Sequence, residues 1–129
     1  MNRKVLIVDD SETVRRHVAD SLETEGFQVL TACDGPSGIA ALKTNTDLSL
    51  VILDINMPGM SGLGVLEWMR EDGSPFLPPA VIMTTEFSPK DIERAKRGGA
   101  FGWLIKPVVS SHLVAIVKKT AVKREPPGG

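Results

Sequence analysis

Five side chains in this sequence are of types that do chemistry, and each ends or follows an apolar run. Asp9 and Asp10 follow KVLIV, Asp54 follows LVIL, Thr84 closes AVIMT, and Lys106 follows FGWLI. Apolar runs of this length, bounded by breakers, suit strands buried on both faces. A carboxylate at the end of such a strand is costly to ionise unless something compensates for its lost hydration. Taken alone, Asp54 reads as a turn-forming residue that merely ends its strand. In one crevice, three carboxylates cannot all stay ionised unaided, because like charges raise one another's pKa. A divalent cation removes that conflict. Mg²⁺ suits such hard oxygen donors, commonly taking one or two carboxylates and keeping waters. Lys106 adds an ammonium at the same mouth, and Thr84 a hydroxyl donor. A nucleophilic carboxylate, a metal, an ammonium and a hydroxyl make a phosphoryl-accepting site whose product is an aspartyl phosphate.

The elements that must position these groups can be read along the chain. Lys4–Val8 reads as a buried strand. Ser11 is a good N-cap and Glu12 a favourable first-turn acid. Val14, Val18 and Leu22 recur every four residues and predict an amphipathic helix ending at Gly26. Phe27–Ala32 reads as a second strand, and Gly35-Pro36 opens a helix to about Lys43. Leu48–Leu53 is the third strand. Ser61 or Gly62 starts a helix to about Glu71, followed by the Pro-rich loop Gly73–Pro79. Ala80–Thr84 is a fourth strand. Ser88-Pro89-Lys90-Asp91 is a strong helix start, for a helix to about Arg97 that Gly98-Gly99 ends. Ala100–Ile105 is a fifth strand, and Pro107 or Val108 begins a last helix to about Lys123. Strict alternation of five strands and five helices predicts an α/β fold with a doubly wound five-stranded parallel sheet. In open sheets of this kind ligands bind beyond the carboxyl ends of the strands. That rule places Asp9, Asp10, Asp54, Thr84 and Lys106 at one crevice. Residues 1–123 form one domain, and 124–129 (REPPGG) has the composition of a disordered tail or a linker.

Composition bounds the rest. The 129 residues suffice for one domain with one sizeable core, and 42% hydrophobic with 24% charged residues is the balance of a globular protein in water. A net charge of −1 gives no electrostatic case for nucleic-acid or membrane binding. The lone cysteine, Cys33, fits a reducing compartment and reads as structural. No apolar segment approaches the roughly 20 residues needed to span a bilayer. A cytoplasmic location is the expectation. His17 and His112 fall on polar helix faces and are expected to be exposed.

With these residues in place, the chain resembles the receiver domain of bacterial two-component response regulators, of the single-domain chemotaxis type, over about residues 3–122. The resemblance rests on Asp9-Asp10, on Asp54 with Met57-Pro58-Gly59-Met60 and Gly62 behind it, on Thr84, and on Lys106-Pro107, all in order. It implies a flavodoxin-like strand order 2-1-3-4-5. It implies that Asp54 accepts phosphate from a histidine kinase or phosphotransfer protein. Asp10 and Asp54 would ligate Mg²⁺ directly with the backbone carbonyl of Asn56, and Asp9 through water. Lys106 would bind the phosphoryl group beside a cis Lys106-Pro107 bond. Thr84 and Trp103 would form the switch, Trp103 turning inward as Thr84 moves. Asn56 and Glu86 would tune the phosphate's lifetime. The output face would be the fourth helix, fifth strand and fifth helix, binding a downstream protein as a monomer or a phosphorylation-linked dimer.

The chain departs from the family pattern at three places. Trp103 stands where Tyr or Phe is usual, Thr85 where a smaller residue is preferred, and Val108 where Phe is common. Two settings fit the resemblance: a receiver acting alone on a partner protein, or one cut from a longer regulator or hybrid kinase. Other functions on the same fold fit poorly. A haloacid-dehalogenase-type phosphatase needs a second Asp where Asn56 stands, and a flavodoxin phosphate loop is incompatible with Asp9-Asp10-Ser11-Glu12. The expected role is that of a switch, supporting its own phosphoryl transfer and autodephosphorylation, rather than a turnover enzyme.

Overall fold

A computed structural model of the chain describes residues 3–123. The elements alternate as β1 (Lys4–Val8), α1 (Glu12–Glu23), β2 (Gln28–Ala32), α2 (Gly35–Thr44), β3 (Leu50–Asp54), α3 (Gly62–Asp72), β4 (Ala80–Thr84), α4 (Pro89–Arg97), β5 (Gly102–Ile105) and α5 (Ser110–Lys123). The strands form one parallel sheet in the order β2-β1-β3-β4-β5, as the resemblance implies. The expected tail at 124–129 lies outside the described residues.

Strand residues alternate between two cores because successive side chains point to opposite faces of a sheet. Leu6, Val8, Val51, Leu53 and Ile82 face one way and pack with Leu42, Leu63, Leu66 and Ala95 from α2, α3 and α4. Val5, Ile7, Leu50, Ile52, Val81 and Met83 face the other way and pack with Val18, Leu22, Leu113 and Val117 from α1 and α5. Burial is uneven among the helices. The α3 helix buries Gly62, Leu63, Val65, Leu66 and Met69, whereas α4 buries Ala95 alone.

Several boundaries differ from the sequence reading for local reasons. Asp34 caps α2 by accepting from Ser37 N at 2.8 Å, so the cap lies one residue before the Gly35-Pro36 signal. The β3 strand includes Asp54 itself, whose partner in register is Met83. The α5 helix begins at Ser110 rather than at Pro107 or Val108. Its first turn closes from Leu113 N to Val109 O at 3.0 Å, while the carbonyl of Val108 is taken by His17 Nε2 at 2.9 Å. The Lys106-Pro107 bond is cis, as expected. Cys33 is exposed in the turn after β2 rather than built into the core, a correction to the reading from sequence. His17 and His112 are exposed, as expected.

Gly62 is where the fold leaves no room behind the third strand. A Cβ there would lie 2.6 Å from Asp54 O and 2.8 Å from Leu53 Cβ. Gly64, two residues on, would meet only the side chain of Met60, at 2.9 Å, and Met60 is partly free to move because it is exposed. Gly62→Ala is therefore expected to lower stability by about 1–3 kcal/mol through overpacking against backbone. Gly64→Ala is expected to cost less, since helix propensity offsets part of the crowding. Urea unfolding midpoints of the two variants check the order.

Candidate functional site

The site lies where β1 and β3 end side by side, with β2 and β4 outside them, which is the switch point of a doubly wound sheet. Asp9 is fully buried just past β1. Its amide donates to Ala32 O at 3.0 Å, and its Oδ1 accepts from Ser11 N at 2.8 Å. Ser11 in turn caps α1, accepting from Val14 N. Asp10, next in the chain, is exposed. Asp54, the last residue of β3, is fully buried. Its Oδ1 accepts from Asn56 N at 2.9 Å. Its Oδ2 is buried without a partner.

Lys106 enters from the end of β5. Its ammonium stands 3.0 Å from Asp9 Oδ2 and 3.1 Å from Asp54 Oδ1. Burial pushes the Asp54 carboxyl above its usual range, and the charge of Asp9 adds to this. The Asn56 amide and Lys106 oppose that rise without cancelling it. Burial is also the largest influence on Lys106 and pushes it down, yet pairing with Asp9 and Asp54 together outweighs it and holds the ammonium above the ordinary lysine range.

One oxygen each from Asp9, Asp10 and Asp54 lies within 4.8 Å of the others. Three carboxylates against one ammonium leave the cluster with unbalanced negative charge, and Asp54 Oδ2 has nothing to bind. An all-oxygen set with a buried, unpartnered donor fits a small hard cation. Sequence reasoning placed these four residues together, and the fold does bring them together.

Thr84, Asn56, Glu86 and Trp103 lie around this centre without all pointing into it. Thr84 ends β4, fully buried. Its hydroxyl donates to Glu86 O at 2.6 Å and accepts from Glu86 N at 3.2 Å, so it is engaged within its own loop. The Asn56 side chain is exposed and spans to that loop, its Oδ1 accepting from Thr85 N at 2.8 Å. Glu86 is exposed. Trp103, on β5, is 36% exposed, its ring centroid 5.8 Å from that of Phe87. Phe87, Trp103, Ile105, His112, Ile116 and Lys119 line an open groove of about 550 Å³ along β5 and α5.

Two contacting residues were missed from the sequence. Arg15 donates from Nη1 to Asp9 O at 2.6 Å, and Phe87 packs on Trp103. Neither leaves a spacing signal, because each acts across elements rather than within one.

The family model of the response regulator receiver domain matches residues 5–118. The chemotaxis protein CheY-3 of Vibrio cholerae is 36% identical over 113 residues, covering 87% of this chain and 86% of that protein. Protein PilH of Pseudomonas aeruginosa is 34% identical over 114 residues, covering 88% and 93%. Among solved structures, the Vibrio cholerae chemotaxis protein CheY4 superposes with a TM-score of 0.85 at 33% identity, covering 93% of this chain and 99% of that one. NtrX of Brucella abortus is matched over 28% of its length, at 29% identity and a TM-score of 0.83. Fold, acidic crevice and the match over nearly the whole chain agree: this protein belongs to the response regulator receiver domain family, whose members are phosphorylation-dependent signalling switches rather than turnover enzymes.

Proposed function

We propose that Asp54 is the phosphoacceptor, taking a phosphoryl group from the phosphohistidine of a histidine kinase or phosphotransfer protein. The observation that carries this reading is a buried carboxylate with one oxygen paired to Lys106 at 3.1 Å and the other unpartnered. An Asp54 oxygen attacks phosphorus in line, the P–O bond forms as the P–N bond breaks, and the imidazole leaves with a proton. Lys106 neutralises a phosphoryl oxygen. Asp9, Asp10 and Asp54, with the Asn56 carbonyl, would hold Mg²⁺, which supplies further neutralisation of the transferred charge.

Thr84 then gives up its bonds to Glu86 and donates to the phosphoryl group. Trp103 turns toward the space that is left, and the groove along β5 and α5 changes shape for a partner protein. Asn56 and Glu86, both polar and exposed beside the centre, admit the water that ends the signal, so the phosphate lasts seconds to minutes. The domain works in the cytoplasm as a monomer or a phosphorylation-linked dimer, without direct nucleic-acid contact. A second reading, that it serves as one part of a longer regulator, draws on its likeness to a segment of NtrX.

Three outcomes are expected. With acetyl phosphate and Mg²⁺, intact mass spectrometry should find one added phosphoryl group on wild type and none on Asp54→Asn, with decay within minutes once the donor is removed. Uptake by the variant to the same extent would end the reading. Under the same conditions the emission of Trp103 should change in intensity or wavelength, and should stay constant in Asp54→Asn; Trp68→Phe isolates the signal.

The third outcome concerns stability. Asp54 binds its proton more tightly in the native than in the unfolded state, because its folded pKa is raised. The stability this contributes is full below the unfolded pKa and is lost as pH rises through the folded value. Above its folded pKa the ionised carboxylate is thus a cost. Without Mg²⁺, Asp54→Asn should be more stable than wild type by about 1 kcal/mol, the scale of one unsatisfied buried polar group. Adding Mg²⁺ should raise the melting temperature of wild type and leave that of the variant nearly unchanged.

A further inference from the structure

The first helix touches the site at both of its poles. At its start, Ser11 N donates to Asp9 Oδ1 at 2.8 Å and Arg15 Nη1 to Asp9 O at 2.6 Å. In its middle, His17 Nε2 lies 2.9 Å from Val108 O. A carbonyl can only accept, so Nε2 carries the proton. One turn further on, Ser21 Oγ and Ser110 Oγ are 2.9 Å apart. His17 and Ser21 share one face of α1, and their partners flank the start of α5. A single rigid element therefore grips the loop that carries the acidic pair and the loop that carries the lysine.

The lysine loop is also anchored by Val108, which packs half-buried on the core shared by α1 and α5, but it has few backbone bonds. Between Ile105 and Ser110 the chain has no regular structure. Pro107 offers no N–H, and Pro107 and Val109 are exposed. Its other backbone bonds run from Lys106 N to Thr84 O at 2.7 Å and from Leu113 N to Val109 O at 3.0 Å. One lies at each end, and in the middle the side chain of Val108 packs on the core while its carbonyl is oriented by His17.

We infer that His17, supported by Ser21, is a positioning residue that sets the reach of Lys106 against Asp9 and Asp54. This rests on the phosphoryl-accepting reading given above and adds to it the element that fixes the spacing between acid and ammonium. It also separates two halves of the site. The acidic loop is held by Ser11 and Arg15 and does not depend on His17, whereas the lysine loop does.

The test uses the whole chain and three variants, His17→Leu, His17→Gln and Ser21→Ala. Phosphoryl uptake from acetyl phosphate in saturating Mg²⁺ is followed by intact mass, and Mg²⁺ affinity is measured separately by calorimetry. His17→Leu is expected to slow uptake about five- to tenfold, the scale of one lost hydrogen bond, while Mg²⁺ affinity does not fall, because a less closely seated ammonium competes less with the metal for Asp9 and Asp54. His17→Gln, whose amide can donate to the same carbonyl, should restore most of the rate. Ser21→Ala, which removes one hydroxyl, should give a smaller loss in the same direction. Wild-type uptake in both His17→Leu and Ser21→Ala overturns the inference. So does a glutamine variant as slow as the leucine one, or a parallel loss of Mg²⁺ affinity. If wild type itself takes up no phosphate, the phosphoryl-accepting reading fails first, and that outcome is distinct from the others.

Discussion

The Lys106 ammonium, held between Asp9 and Asp54, is the interaction on which this site depends. Two fully buried carboxylates face one crevice, and without a cation between them neither strand end would be tolerable. At 3.0 and 3.1 Å the ammonium makes the arrangement possible, but it cannot serve both acids and balance Asp10 as well. The surplus of negative charge is a standing demand for another cation. In that sense the fold builds its reactivity as an unmet electrostatic need. A better balanced set of side chains would be more stable and would fit a cation less well.

The loop after β4 carries groups from both the centre and the surface groove. The hydroxyl of Thr84 cannot serve the site while it is bonded at 2.6 Å to Glu86 O. One residue beyond Glu86, Phe87 lies against Trp103. The same few residues thus hold both the hydroxyl and the aromatic ring in one arrangement. Were Thr84 to leave that turn, as proposed above, the support of Trp103 would change without any long path through the core. Coupling of this kind needs two discrete arrangements and a group that favours one of them.

Much of this was legible in the sequence because the fold is made of repeated, strongly patterned units. Five apolar runs alternating with helical periodicity give the sheet, and the rule for its carboxyl edge collects Asp9, Asp10, Asp54, Thr84 and Lys106. What was not legible depends on contacts between elements. Nothing in the spacing of Arg15 predicts its bond to Asp9 O, and nothing about Val108 announces that its carbonyl goes to His17 and so delays α5 to Ser110. The exposure of Cys33 was missed because a strand's end and the turn beyond it look alike in composition. Local patterns fix elements, whereas the rotamer of a side chain at a loop is fixed by whatever the other elements place beside it.

The shallow seating of α4 has its own consequence. Only Ala95 of that helix is buried, and its ion pair with α3, Arg94 to Glu67 at 2.8 Å, is partly exposed to solvent. Burying an alanine methyl is worth under about 1 kcal/mol, and a pair of that kind contributes about as little. A single hydrogen bond to a charged group is worth about 1.5–3 kcal/mol. One such bond at the crevice is therefore comparable with what the buried methyl and the ion pair of α4 together contribute.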